Sequence, residues 1–408
     1  MKKKLLLLMA LCLLAGTNAF AYYFEDGIYY NFSGDEATVI RFTYYDPSLA
    51  VVIPDSVTYN GNTYYVTTIG NDAFRDRTNL VSITIPSTLK RVKTGAFRGC
   101  TSLTKVIVKD IAAWCGIIYE GDDFDGDFPL GLVHDKHLYS NDNTEITEVV
   151  IPEGVTRIEK LAFRDAVFVT SVTLPSSVTY IGEQAFRGMK SLTSINIPQG
   201  IISIKSSAFQ DCKVLPSITV PNSVTEIDQN AFAGCNNLES ISIGRGLKSI
   251  DGTAFNDCYR LTYVTLLCDS VSTWFKERAS IQRVVIGNSV TNIDSQAFQG
   301  CSKLSTVTFS NNLKSVGKDA FDGTAWYNNQ PNGLVYTGKI AYKYKGTAPY
   351  GTEIDIEDGT VGITEQAFQN IWGLTSISIP GSVTRIGEKT FSGCWKSRAC
   401  LTPEGKRC

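Results

Sequence analysis

The chain has 408 residues, 43% of them hydrophobic, with 38 Lys and Arg against 40 Asp and Glu. Its longest basic run is Lys2-Lys3-Lys4, so the release of counterions from a nucleic acid would have little to act on. Composition and charge therefore disfavour nucleic-acid binding.

Residues 1–21 have the three regions of a secretory signal peptide. Lys2-Lys3-Lys4 precedes an apolar run from Leu5 to Ala15, and Ala19-Phe20-Ala21 supplies small residues at a cleavage point. The run has about eleven residues, whereas a membrane-spanning helix needs about twenty, and no later segment qualifies. Cleavage takes three lysines from the 38 bases and none of the 40 acids, which leaves a net charge of −5. We expect a secreted or cell-surface protein without a transmembrane segment.

Residues 22–65 predict a β-rich N-terminal cap. This segment is rich in Tyr, Phe, Val and Thr and contains the turn pairs Asp26-Gly27, Ser33-Gly34 and Asn60-Gly61. Such pairs between β-forming residues predict short strands joined in hairpins. The hairpins would close the first coil of the repeats that follow.

A phenylalanine recurs at a fixed interval through the rest of the chain. Successive copies are 23 residues apart except at three intervals, of 66, 43 and 47 residues. The copies are Phe74, Phe97, Phe163, Phe186, Phe209, Phe232, Phe255, Phe298, Phe321, Phe368 and Phe391. A period of this length indicates a solenoid. We place it at residues 66–394, with insertions near 109–145, 267–282 and 322–352.

Each repeat predicts one short strand and one turn. In Leu192-x-x-Ile195-x-Ile197-Pro198 the two isoleucines alternate onto one face of a strand, and the proline ends it. The following Ala208-Phe209-x-x-Cys212 lacks this alternation and predicts a short helical or 3₁₀ turn. Stacked coils share a core that no single coil can bury. About fourteen coils, with strands about 4.8 Å apart, would form a stack roughly 65 to 70 Å long.

The repeat resembles that of the BspA-like leucine-rich repeat proteins, exported surface antigens of anaerobic oral and gut bacteria and of some mucosal protists. The matching run is Val/Ile-x-x-Ile-Gly-x-x-Ala-Phe-x-x-Cys-x-x-Leu-x-x-Ile-x-Ile-Pro, nearly whole at residues 178–198 and 224–243, and the resemblance covers residues 25–394. It implies an α/β-type leucine-rich repeat solenoid rich in β-structure. Family members adhere to extracellular-matrix and plasma proteins, so the resemblance also implies a recognition role without naming the ligand.

Ten cysteines follow the signal peptide, an even number that suggests disulfides in an exported protein. Six of them lie three residues after a repeat phenylalanine: Cys100, Cys212, Cys235, Cys258, Cys301 and Cys394. Met189 takes this position in another coil, so the position behaves as an apolar core slot and we expect reduced, buried thiols. The sequence leaves open the pairing of Cys115, Cys268, Cys400 and Cys408.

No motif for catalysis or cofactor binding is evident, and we expect no enzymatic activity, no cofactor and no metal. The two histidines, His134 and His137, lie near an acidic stretch in the first insertion. In that stretch Asp123-x-Asp125-x-Asp127 has Phe128 where a calcium loop needs glycine and His134 where it needs glutamate. The alternative is that this loop, with Asp122 and Asp135, binds a cation. No nucleophile elbow or phosphate-binding glycine loop is present.

The repeat pattern stops after Cys394. Residues 395–408 contain no Leu-x-x-Ile-x-Ile strand, so we expect an irregular tail. Truncation of a longer relative would explain the tail, and it would leave the last coil exposed.

We expect ligand contacts where the strand surface changes character. Outward positions are mostly Ser and Thr, which suits an exposed pleated surface. Aromatic and charged side chains interrupt this pattern on the strands and in the neighbouring insertions, and such side chains anchor interfaces. The expected contact residues are Lys105, Trp114, Tyr263, Trp274, Arg283 and Trp326.

The sequence favours a non-enzymatic recognition or adhesion protein that presents a rigid sheet to host proteins or glycans. One alternative is a structural component of an envelope or extracellular matrix that self-associates through its C-terminal edge. Another is a glycan-active hydrolase. A hydrolase would need paired carboxyl groups in one cleft, which the sequence does not show.

Overall fold

The computed structural model describes residues 22–43, 49–121, 129–130, 137–140 and 144–394. The expected signal peptide, the tail 395–408 with Cys400 and Cys408, and the acidic stretch with His134 lie outside these residues. None of the helices described is long and apolar enough to cross a bilayer.

The described chain contains thirty-three strands and three short helices. In the first half the strands are β1 Tyr23–Glu25, β2 Ile28–Ser33, β3 Glu36–Phe42, β4 Leu49–Val52, β5 Ser56–Tyr59, β6 Asn62–Ile69, β7 Leu80–Ile85, β8 Arg91–Val92, β9 Lys105–Val108, β10 Ile118–Tyr119, β11 His137–Tyr139, β12 Glu148–Val150, β13 Arg157–Ile158, β14 Ser171–Thr173, β15 Tyr180–Ile181, β16 Ser194–Ile195 and β17 Ser203–Ile204. In the second half they are β18 Ser217–Val220, β19 Glu226–Ile227, β20 Ser240–Ile243, β21 Ser249–Ile250, β22 Tyr263–Leu266, β23 Ser270–Val271, β24 Arg283–Ile286, β25 Asn292–Ile293, β26 Thr306–Thr308, β27 Ser315–Val316, β28 Gly333–Thr337, β29 Ile340–Lys345, β30 Thr352–Asp355, β31 Gly362–Ile363, β32 Leu374–Ser378 and β33 Arg385–Ile386. The helices are α1 Ile111–Cys115, a 3₁₀ helix Thr273–Phe275 and α2 Ala325–Asn328.

The chain forms a β-solenoid of about 13 coils, which confirms the predicted fold class. A regular coil contributes one strand to each of two rows. The first strand row comprises β4, β7, β9, β11, β12, β14, β16, β18, β20, β22, β24, β26, β30 and β32. The second begins at the end of β6 and continues through β8, β10, β13, β15, β17, β19, β21, β23, β25, β27, β29, β31 and β33. Strands of adjacent coils pair in parallel, as in β18–β20–β22–β24–β26. Alternation puts Ile241 and Ile243 in the core, as the sequence predicted.

The N-terminal strands form hairpins at all three predicted turn pairs. Antiparallel pairing joins Glu25 to Ile28, Ser33 to Glu36 and Tyr59 to Asn62 across these turns. Strand β3 then pairs in parallel with β6, and β6 with β8. The hairpins are therefore hydrogen-bonded directly to the first repeats.

The repeat phenylalanines stack on the turn side of the solenoid in a column made of three runs, Phe42 to Phe97, Phe163 to Phe321 and Phe368 to Phe391. The rings of Phe209 and Phe232 are 5.3 Å apart and inclined by only 4°. Phe42, which precedes the repeats counted from the sequence, stacks on Phe74 at 5.4 Å. Burial of these rings removes a large apolar area from water in every coil, so the column forms the centre of the core.

The backbone around each phenylalanine differs from the predicted helical turn. In most coils the residues two before and two after it have positive φ, as Ser207 (55°) and Asp211 (60°) do around Phe209. The N–H groups of these three residues donate to carbonyls of the next coil at 2.8–3.0 Å. A helix would use those donors internally, so the left-handed residues add a third set of bonds between coils. Among the described repeats, only the coil of Phe275 forms a 3₁₀ helix there.

The segment near 267–282 is a coil of the solenoid and not an insertion. Phe275 lies in the column between Phe255 and Phe298, at 6.2 and 6.4 Å. This coil is three residues shorter than the standard repeat and lacks the Ala-Phe-x-x-Cys text, so the sequence pattern missed it. The segment near 322–352, in contrast, does contain an added hairpin, β28–β29.

The ladder cysteines Cys212, Cys235, Cys258 and Cys301 are free thiols buried in the core, as the sequence predicted; Cys100 is also buried, and Cys394 is half-buried. Each donates from its sulfur to the carbonyl of the phenylalanine one coil earlier, as Cys235 does to Phe209 at 3.2 Å. Cys115 and Cys268, outside the ladder, are also buried and unpaired. Burial raises the pKa of both Cys258 and Cys268 to about 12, which keeps these thiols protonated and unreactive.

Candidate binding surface

The outward side chains of the first strand row are mostly small and hydroxylated. Because the strands are parallel and in register, equivalent residues of adjacent coils lie side by side, as Ser217 and Ser240 do. Exposure varies along the row, however: Ser82 and Thr84 are buried, whereas Ser217 and Thr219 are exposed. The central coils therefore present a flat polar surface of short side chains.

Tyr263 and Arg283 interrupt this surface together. They are register partners on β22 and β24, and both point outward. The guanidinium carbon of Arg283 lies 5.2 Å from the centre of the Tyr263 ring, and 36% of Tyr263 remains exposed. Ser240 and Thr306 flank the pair on the adjacent strands. The structure thus brings two expected contact residues into one cation–π pair.

Lys105 makes a second such pair near the N-terminal end of the row. Its ammonium lies 4.4 Å from the ring centre of Tyr139, which is the register partner of Ile107. Beside the pair is an open groove of about 730 Å³, whose lining includes Val52, Ile107 and Lys109. Lys109 is bound to Asp55 at 3.1 Å, so part of the positive charge here is already neutralised.

Trp114 is not a surface residue, and its expected role in ligand contact is incorrect. It is 1% exposed, and its indole N–H donates to the carbonyl of Ala162 at 2.8 Å. Helix α1, capped by the carboxylate of Asp110, carries Trp114 and buries its indole in the core.

Trp274 and Trp326 lie apart from each other and are half-buried against the core. Trp274 belongs to the 3₁₀ helix on the turn side, beside Phe275. Trp326 packs edge-on against Phe309 and Phe321 at 5.2 and 5.1 Å, and its backbone N–H donates to the carbonyl of Leu304, next to β26. Of the six expected contact residues, only Tyr263 and Arg283 contact each other in the described contacts.

Tyr139 and the contacts of His137 were not predicted from the sequence. The His137 imidazole stacks on Phe168 with ring centres 3.8 Å apart and contacts the Glu145 carboxylate. The alternation His137-Leu138-Tyr139, with the leucine buried, was the available signal for a strand. Within the described part of the chain, no group of three or more His, Cys, Asp or Glu could hold a metal.

Two carboxylates with opposite pKa shifts, those of Asp319 and Asp322, lie around Lys343. Its ammonium is 2.8 Å from Asp319 and 2.6 Å from Asp322. Burial is the largest influence on both acids and acts to raise their pKa, but at Asp319 the hydrogen bonds with Lys343 and Asp322 and the charges of Lys343 and Lys318 together outweigh it and lower the pKa. At Asp322 burial dominates and the pKa is raised. Since one ammonium holds both carboxylates, the cluster joins β29 to the turn of the preceding coil.

Another cation–π pair lies on the second strand row. The guanidinium of Arg157 is 3.9 Å from the ring centre of Tyr180, its register partner. Arg157 is also bound to Glu159 at 2.7 Å. Its charge is therefore compensated, unlike that of Arg283, for which no ion pair occurs among the described residues.

The family described as "BspA type Leucine rich repeat region (6 copies)" matches residues 53–114, 135–262 and 271–398. A leucine-rich repeat protein from Bacteroides ovatus ATCC 8483 is 23% identical, with a TM-score of 0.50 over 91% of this chain and 92% of that one. A leucine rich cell surface protein from Faecalibacterium prausnitzii A2-165 is 24% identical, with a TM-score of 0.46 over 92% and 93%. No curated protein matches. The family match spans most of the sequence, and the chain belongs to the BspA type leucine-rich repeat family.

Proposed function

We propose that this protein is a secreted or cell-surface recognition protein without catalytic activity, which binds host proteins or glycans through the first strand row. Its family is of the surface type and is consistent with protein binding. The observation that carries the proposal is the Tyr263–Arg283 pair, an aromatic and cationic feature on an otherwise hydroxylated surface. Such residues contribute most of the energy of protein interfaces.

The architecture supports a recognition role because the surface is rigid before binding. Hydrogen bonds run between coils in both strand rows and around the phenylalanine column. A ligand therefore meets side chains whose backbone is already ordered, which lowers the entropy cost of association. The short Ser and Thr side chains also have little rotamer freedom to lose.

The test compares matched substitutions on the two strand rows of the mature chain. Ser240→Tyr places a bulky side chain on the first row, beside Tyr263. Ser249→Tyr places the same side chain on the second row. Surface plasmon resonance on immobilised mucin and matrix proteins should show about a tenfold loss of affinity for the first variant and less than about twofold for the second. Equal effects in variants with unchanged circular dichroism would reject the first row as the binding face.

Light scattering on the mature chain separates recognition from the structural alternative. A monomer that binds the immobilised ligands supports recognition. Polymers whose size grows with concentration, lost when Ile386 of the last described coil is changed to Glu, would support assembly through the C-terminal edge instead. Ile386 suits this test because it is 40% exposed although its repeat position is buried in most of the other described coils.

A further inference from the structure

We propose that Tyr263 and Arg283 form a binding site for an acidic sugar, a pyranose that carries a carboxylate or a sulfate. This inference rests on the proposed function and names the ligand class for one site on the first strand row. The pair is built by the parallel register of β22 and β24, which fixes the two side chains next to each other. It combines a ring face for the sugar and a guanidinium for the anion.

The charge of Arg283 favours an anionic ligand. Among the described residues Arg283 has no carboxylate partner, whereas Arg260 is bound to Glu239 at 2.7 Å and Arg157 to Glu159 at the same distance. None of the ten outward side chains of β18, β20, β22, β24 and β26 is acidic. No described acid therefore compensates the guanidinium charge, and the planar donors of the guanidinium match a carboxylate or sulfate in a bidentate contact.

The chemistry of the surface around the pair favours a sugar over a polypeptide. Seven of the ten outward side chains on these five strands are Ser or Thr. The other three are Tyr263, Arg283 and Val285, and Val285 is the only aliphatic one. Hydroxyl groups both donate and accept hydrogen bonds, as the hydroxyls of a sugar ring require. A protein partner would instead gain most from apolar pockets, which these five strands do not present.

The shape of the surface around Tyr263 and Arg283 favours a flat ligand. The neighbours of the pair along both strands and across them, Ser240, Thr265 and Thr306, are short. The Tyr263 ring and the Arg283 side chain therefore rise above their surroundings, and a flat ligand can lie across them. The C–H groups on one face of a pyranose can contact the ring while its anionic group reaches the guanidinium.

The probes are sialyllactose, which carries a carboxylate, sulfated lactose, which carries a sulfate, and neutral lactose. Calorimetric titration of the mature chain at low ionic strength should show binding of at least one acidic sugar about tenfold tighter than that of lactose. Salt should weaken this binding, because the contact is ionic. The two acidic probes show whether a carboxylate, a sulfate or either one is accepted.

Two pairs of variants locate the site. Arg283→Gln and Tyr263→Ala should each lower the affinity for the acidic sugar about tenfold. Arg260→Gln, which removes an arginine already bound to Glu239, and Tyr259→Ala, which removes an exposed tyrosine outside the strand, should change it less than about twofold.

The inference is overturned if no acidic sugar binds, if lactose binds equally well, or if Arg283→Gln has no effect. Loss of a protein ligand in Arg283→Gln, without any sugar binding, would assign the pair to an acidic polypeptide and also overturn it. After any of these outcomes the proposed function still stands, as long as Ser240→Tyr weakens binding to mucin or matrix protein and Ser249→Tyr does not. Failure of that comparison would reject the proposed function itself.

Discussion

The uninterrupted coils from Phe163 to Phe255 and the irregular coils around them are built on the same core but differ in what they expose. In the uninterrupted coils the rings stack at 5.3 to 5.7 Å, and the outward residues of the first strand row are Ser or Thr except for Asn196. The cation–π pairs of this row, at Lys105 and Arg283, lie where the repeat spacing departs from 23 residues. Regular coils thus supply stability, and irregular coils supply the chemically distinct surface.

The irregular coils keep their core by substitution. Phe275 takes its place in the column from a shorter coil, and Trp114 fills the core from helix α1. In regular coils the N–H of the repeat phenylalanine donates to an alanine carbonyl of the next coil. Where the added hairpin interrupts the column, the N–H of Phe321 donates to the hydroxyl of Tyr342 instead. The core therefore tolerates changes in spacing provided that each buried donor finds an acceptor.

The largest effect should come from breaking the column in its regular part. Phe209 lies between Phe186 and Phe232 and is fully buried, so Phe209→Ala should lower the free energy of unfolding by about 3 to 5 kcal/mol. In the irregular part, Phe309→Ala removes a phenylalanine that packs edge-on against Phe321 outside the column, and it should cost less because Phe309 is only half-buried. Urea unfolding followed by circular dichroism measures both. A smaller loss for Phe209→Ala than for Phe309→Ala would contradict the assignment of stability to the regular coils.

An intermediate effect is expected at the substituted hydrogen bond. Tyr342→Phe leaves the buried N–H of Phe321 without its acceptor and should cost about 1 to 3 kcal/mol. Tyr336→Phe removes a similar bond, from the N–H of Glu357, but at an exposed site where water replaces the hydroxyl. Its cost should be smaller, and equal losses in urea unfolding would show that burial of the donor does not decide the effect.

The smallest effect concerns the thiols and is read as a pH dependence. Burial raises the pKa of Cys258, in a regular coil, and of Cys268, in an irregular one, from 9.0 to about 12. Since the unfolded thiol loses its proton first, stability is fully present below pH 9 and is lost as the pH rises towards 12. Each thiol should account for about 1.4 kcal/mol of loss between pH 8 and pH 10.

The alanine variants at Cys258 and Cys268 test this dependence. Both should have a shallower decline of the free energy of unfolding between these pH values than the unchanged protein. Similar changes of slope would show that burial, and not the repeat position, sets the behaviour of the thiol. An unchanged slope in either variant would mean that its thiol ionises equally well in the folded chain.

Much of the fold could be predicted because the repeat carries its own register. The spacing of Ile241 and Ile243 predicted which residues face the core, and Met189 at a cysteine position predicted buried thiols. The coil of Phe275 escaped prediction because its local sequence, Thr-Trp-Phe, has the aromatic without the neighbouring alanine and cysteine. The left-handed turns were not predicted because Ser207 and Asp211 are not glycines, the residue type that would have indicated positive φ.

The candidate site was only partly accessible from the sequence. A break in the hydroxylated pattern identified Tyr263 and Arg283, and the alternation of their strands predicted that both point outward. The same reasoning placed Trp114 at the surface, although it is buried, because an exposed anchor and a core substitute have the same residue type. Tyr139 was missed because its strand follows a long insertion whose length hides the repeat.

The sequence by itself determined the solenoid, since a 23-residue period with fixed apolar positions can bury those residues only by stacking one coil on the next. The tertiary structure decided which of the residues that interrupt the Ser and Thr pattern contact each other. Tyr263 and Arg283 are 20 residues apart, and they face each other because the short coil between them still returns its strand to the parallel register. Lys105 meets Tyr139 across a longer insertion for the same reason. Contacts between coils depend on where each strand re-enters the row, and backbone hydrogen bonding between neighbouring coils fixes that position.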